Sequence, residues 1–124
     1  MPSALYKLGM KTRREVLGDE YVDNALRNTS EFTRPFQELA NEYAWGKIWG
    51  SNVIPRKARS FINIAMLVAL NRSHELDVHI RGAIRNGCTM EEIREVLMQA
   101  SVYCGLVAGN DAFRVARKVF EEKA

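Results

Sequence analysis

Apolar residues along this chain recur at intervals of three and four, and the β-branched residues do not alternate, so the pattern predicts helix throughout. A first helix covers about residues 3–17 and ends at Gly18, with Arg13 and Arg14 in its last turns where they complement the helix dipole. The short segment DEYVDNALRN forms a second. A third begins near Arg34, with Pro35 in its first turn, where a missing N–H is harmless, and carries Phe36, Leu39, Ala40 and Tyr43 on one side. It runs on into AWGKIWG, where Trp45 and Trp49 share a face and Gly46 and Gly50 admit a close backbone or mark the helix end.

After a turn at SNVIPRK, the nearly continuous hydrophobicity of about residues 56–70 predicts a helix buried on most sides, at the centre of a bundle. The next helix starts at Asn71 or Ser73, both good caps, and stops at Asn86-Gly87. Thr89 and Glu92 then stand at capping-box spacing, opening a helix whose inner face reads Ile93, Val96, Leu97, Ala100, Tyr103 and Cys104. Gly105 breaks the chain before a last helix over about residues 108–122, with Phe113, Ala116 and Phe120 inward. The expectation is an all-α bundle of about six helices in one domain spanning residues 1–124, with no repeat and no linker.

Composition narrows this picture. At 124 residues the chain has enough length for one core and leaves apolar surface for partners, which points to an oligomer. Its net charge of +3 is scattered among 15 acidic residues, without the basic run and interleaved aromatics that single-stranded nucleic acid requires. A weak positive field suits an anionic small molecule. The longest apolar run, FINIAMLVAL, contains Asn63 and falls far short of the roughly 20 residues of a membrane span. The N-terminus lacks the pattern of a secretory signal, which makes the cytoplasm the default compartment. Cys88 and Cys104 lie outside any zinc or C-x-x-C spacing and read as two buried thiols.

The stretch NRSHELDVHIRGAIRNG holds both histidines of the chain. It superficially suggests a zinc-protease H-E-x-x-H motif, but His74 and His79 are five apart, about 500° along a helix, and so diverge by about 140°. Glu75 and His79 would supply two ligands where a catalytic zinc takes three from the protein, so no metal is expected. What does share a face is Glu75, His79 and Gly82, with Arg72 one turn earlier. A carboxylate four residues from an imidazole can orient it and raise its pKa, making a general acid near neutral pH, although such pairs also occur on solvated faces.

The run ELDVHIRGAIRNGCTMEEIREVL resembles the E-L-x-x-H-x-x-x-A-x-x-x-G-x-T-x-x-E-I-x-E motif of the carboxymuconolactone decarboxylase family. GMKTRREVLGDEYV, AWGKIW and RSFINIAMLVAL are similar to further segments of that family, so the resemblance covers nearly the whole chain. It implies an alkylhydroperoxidase-like helical fold assembled as a homo-trimer or homo-hexamer. It also implies a cofactor-independent decarboxylase acting on 4-carboxymuconolactone or a related cyclic acid in protocatechuate breakdown. No cofactor is needed there because the lactone is itself the electron sink.

On this resemblance His79 is the proton donor or lactone-oxygen stabiliser and Glu75 its orienting partner. Arg72 or Arg81 anchors a carboxylate by paired hydrogen bonds, and Trp45, Trp49 and Tyr103 complete the candidate substrate-binding set. The same fold hosts disulfide reductases with C-x-x-C-x-x-x-H. Here Arg72 and Glu75 occupy the two cysteine positions, and a thiol peroxidase would need Cys88 and Cys104 brought together. YCGLVAGN departs from the family's Y-x-G-x-P-A-A-N, with Val107 for proline and Gly109 for alanine, and such changes could give a member of different specificity.

Overall fold

The computed structural model describes residues 2–123, and the chain divides into two compact units, Met1–Arg56 and Lys57–Ala124. Among the described residues there are seven α-helices, one π-helical stretch and no strand. The all-α expectation holds, with one helix more than the expected six.

In the first unit, α1 (Ala4–Leu17) opens at Ser3, whose side chain accepts from the Tyr6 N–H, and closes at Gly18 in a left-handed conformation, φ 90°. Helices α2 (Asp19–Arg27) and α3 (Arg34–Leu39) follow, and α3 passes without a break into the π-helix Ala40–Ile48. The Trp49 N–H reaches back five residues to the Ala44 carbonyl, at 2.9 Å, which widens the turn. Periodicity at three and four places does not distinguish such a stretch from ordinary helix.

Helix α1 lies against the π-helix through glycines: a Cβ on Gly9 would collide with the Asn41 carbonyl, and one on Gly46 with the Leu5 carbonyl. Of the two readings of Gly46, close approach is the observed one. The buried Arg13 donates through Nη1 to Gln37 Oε1 at 3.1 Å and Asn41 Oδ1 at 3.2 Å, joining the same elements. Phe36, Leu39 and Tyr43 do share a side, but that side is exposed, Phe36 by 68%.

The second unit is built from α4 (Arg56–Leu70), α5 (Ser73–Arg85), α6 (Met90–Cys104) and α7 (Leu106–Lys123). Its core comprises Ile64 and Val68 of α4, Leu76, Ile80 and Ala83 of α5, Ile93 and Leu97 of α6, and Ala112, Ala116 and Val119 of α7. Each helix contributes residues at three- and four-place spacing, so one stripe per helix is buried. Helix α4 is therefore less enclosed than its composition predicts: Ile62, Met66 and Leu70 are exposed.

The ends of α4 and α5 are closed alike. Asn71 takes φ 61°, its N–H bonds to the Val68 carbonyl and the Arg72 N–H to the Leu67 carbonyl; Gly87 and Cys88 repeat the arrangement on Ile84 and Ala83. Asn71 is thus the terminator of α4 rather than the cap of α5, a role open to Asn because its side chain tolerates the left-handed region. Ser73 is already inside α5, and Arg72 precedes it without a side-chain cap.

The capping box of α6 forms as its spacing predicts. Glu92 N–H donates to Thr89 Oγ1 at 3.1 Å, and Thr89 N–H donates to Glu92 Oε1 at 2.9 Å. Cys88 is buried as expected, whereas Tyr103, 83% exposed, and Cys104 face outward, because Ser101 instead takes the buried place in the last turn. Helix α7 begins two residues before its expected start, with Val107 in its first turn. Gly109 lies so close to Ser101 that a Cβ would displace that side chain, tying the departure from alanine to helix packing.

Candidate functional site

His79 stands in the middle of α5 and is half-buried. Its Nδ1 lies 3.4 Å from the Nδ2 of Asn63, which projects from the middle of α4. A second bond between these helices, from Asn86 Nδ2 to Ser60 Oγ at 2.9 Å, fixes their separation one end further along. Asn63 is the residue that motif reading missed. The available signal was a lone amide inside FINIAMLVAL, since a polar group in an otherwise apolar run requires a partner once it is partly buried.

Burial pushes the His79 imidazole below its ordinary pKa of 6.5, and the negative charge of Glu75 opposes the shift without overcoming it. The direction is therefore the reverse of that expected from the Glu75–His79 spacing. Glu75 lies exposed in the first turn of α5, where the helix dipole favours a carboxylate. It acts on His79 as a nearby charge, while the hydrogen-bonding contact to Nδ1 comes from Asn63. Burial therefore favours the neutral form of the ring.

The candidate arginines are placed differently from one another. Arg81 donates through Nε to Asp77 Oδ1 at 2.9 Å and through Nη2 to Glu122 Oε2 at 2.6 Å, and these two carboxylates hold its guanidinium well above its ordinary pKa. A cation so engaged joins α5 to α7. Arg72 is exposed at the entrance to α5, one turn from Glu75. Arg59, which the motif does not include, is partly buried on α4 one turn before Asn63, on the same side of that helix.

Trp45 and Trp49 belong to the first unit, buried, with ring centroids 5.2 Å apart and planes tilted by 31°. Tyr103 borders a cavity of about 470 Å³ between α4 and α6, with Phe61, Ala65, Val96 and Cys104; neither Glu75 nor His79 lines it.

The thiols do not form a redox pair. Both are free, Cys88 precedes α6 and Cys104 ends it, and a 15-residue helix separates its ends by about 20 Å, against the 7 Å limit between bridged Cα atoms. Burial, with Glu92 second, pushes the Cys88 thiol up to about 11, so it is not a thiolate at neutral pH. Among the described residues there is no cluster of three or more His, Cys, Asp or Glu side chains that could hold a metal, and no helix long and apolar enough to cross a membrane.

The profile of the Carboxymuconolactone decarboxylase family matches residues 34–118. The chain is 40% identical to 4-carboxymuconolactone decarboxylase of Acinetobacter baylyi over 117 residues, covering 94% of this chain and 87% of that one. It is 45% identical to nitrosuccinic acid decarboxylase npaB of Metarhizium robertsii over 118 residues, covering 95% and 82%.

Proposed function

The chain belongs to the carboxymuconolactone decarboxylase family, and from that premise we propose that it is a cofactor-independent carboxy-lyase whose reacting group is the half-buried imidazole of His79. The observation that carries the reading is the pairing of near-full-length similarity to two decarboxylases with a partly buried histidine held by a neutral amide. The two relatives are named for acids in which a carboxylate accompanies a lactone or a nitro group. We take the substrate class to be a small carboxylic acid with such an electron acceptor near the departing CO2, 4-carboxymuconolactone being the first candidate.

In that reaction the C–CO2 bond breaks and its electron pair passes into the acceptor, building negative charge on oxygen. A donor already aimed at that oxygen lowers the barrier more than one that must reorient. With Nδ1 facing an N–H donor, His79 offers Nε2–H for this purpose. A neutral imidazole is a poor acid, so the proton that replaces CO2 on carbon comes from solvent. Of the two roles the resemblance implies for His79, oxygen stabiliser is the one the geometry favours.

The carboxylate anchor is assigned to Arg72, exposed one turn from Glu75, since Arg81 is already engaged by Asp77 and Glu122. Assembly as a homo-trimer or homo-hexamer is part of the proposal. It is supported by exposed apolar side chains such as Phe36, Leu39, Ile62 and Met66, which a lone chain leaves in water.

The test is CO2 release from 4-carboxymuconolactone and, separately, from nitrosuccinate by the purified chain. Catalysed release from either acid supports the reading, with the better substrate setting the specificity. Absence of release from both, by a folded protein, contradicts it.

A further inference from the structure

Asn63 interrupts the apolar sequence of α4 and is partly buried there, and its amide nitrogen meets Nδ1 of His79 at 3.4 Å. An amide nitrogen has no lone pair to accept with, so in this orientation of the amide Nδ1 presents its own lone pair and the proton of the neutral ring sits on Nε2. Protonating Nδ1 would set two N–H donors against each other in a partly desolvated place, where an unmatched donor is costly. The Ser60–Asn86 bond holds α4 and α5 together beside the pair, so the ring does not easily turn away.

We propose that Asn63 is a positioning residue that selects the Nε2–H tautomer of His79, making the ring a hydrogen-bond donor through Nε2 rather than Nδ1. A carboxylate at position 63 would do the opposite: it would accept from Nδ1–H and favour the charged ring. The neutral amide is therefore what separates a hydrogen-bond-donating histidine from an acid–base histidine. The tautomer stands on geometry alone, whereas its consequence for turnover rests on the decarboxylase reading.

The experiment is ¹⁵N-edited NMR of the imidazole nitrogens in full-length protein carrying His74→Gln, which leaves His79 as the one imidazole, compared across wild-type Asn63, Asn63→Asp and Asn63→Ala. The expected result is an acceptor-type Nδ1 with protonated Nε2 for Asn63. Asn63→Asp should move the proton to Nδ1 and raise the imidazole pKa by about one unit or more. With the better of the two acids, kcat should fall at least about tenfold in Asn63→Asp while KM changes less than about twofold.

Asn63→Ala tests the same point without an added charge and should give a mixture of tautomers. Protonated Nδ1 in the parent protein overturns the proposal, as does an unchanged tautomer in both variants or an Asn63→Asp profile identical to that of the parent. The expected NMR result in a protein that decarboxylates neither acid would retain the pairing and remove only the decarboxylase reading.

Discussion

On one edge of α5, Arg81 is clamped between the carboxylates of Asp77 and Glu122. On another, about 200° around the helix, His79 meets a neutral amide, with the Glu75 charge nearby but not bonded to it. The first edge is partly solvated and neutralises charge with charge, so its contribution is modest and structural. The second withholds full charge compensation from a half-buried ring and keeps that ring neutral. Two polar edges of one helix, much alike as sequence positions, differ in whether the neighbouring bonded group is a carboxylate or a neutral amide, and this sets which side chain is held in its charged form.

The largest effect expected from breaking this comparison is at His79. His79→Ala should lower kcat for CO2 release at least about a hundredfold with the thermal midpoint nearly unchanged, because the ring N–H donates to the developing oxyanion and the ring is only half-buried. Undiminished turnover in that variant would remove His79 from the mechanism. Glu75→Gln comes next. Losing the carboxylate that supports protonation should move the acid limb of the rate profile to lower pH, while kcat near neutrality changes by no more than about tenfold.

Arg81→Ala should leave kcat and KM within about twofold and cost about 1 kcal/mol of stability, read by denaturant titration; a large rise in KM would return Arg81 to the substrate. The smallest effect is on stability against pH. Because the folded-state pKa of His79 lies below the unfolded value, its contribution is fully present above about pH 6.5 and is lost as pH falls through the window between the two, so wild-type should lose slightly more stability on acidification than His79→Ala.

Most of the fold was legible because its signals are local. Gly18, Gly87 and Gly105 end helices with positive φ, and Thr89 with Glu92 opens one. What escaped was non-local or shared between patterns. The π-helix has apolar spacing that an α-helix would also show, and Asn71 carries equally good credentials as a cap and as a terminator. Tyr103 and Cys104 were expected inside because apolar character does not say which residue of a last turn the neighbouring helix covers; Gly109 lies against Ser101 instead.

At the candidate site, Glu75 and His79 were readable as an i, i+4 pair. Asn63 was not, since its partner lies 16 residues away and the contact exists only when α4 and α5 are side by side. The direction of the His79 shift is hidden from the sequence for a related reason: spacing reveals the Glu75 charge but not the burial that outweighs it.

The most direct test of the central claim, that a neutral His79 serves the reaction as a hydrogen-bond donor, is to measure kcat against pH on the better acid beside an NMR titration of His79 in the same protein. A shared midpoint below 6.5 is expected, with activity full on the high-pH side and falling as the ring is protonated. Activity that instead falls as pH rises through the His79 midpoint would show the imidazolium to be the working form and contradict the account.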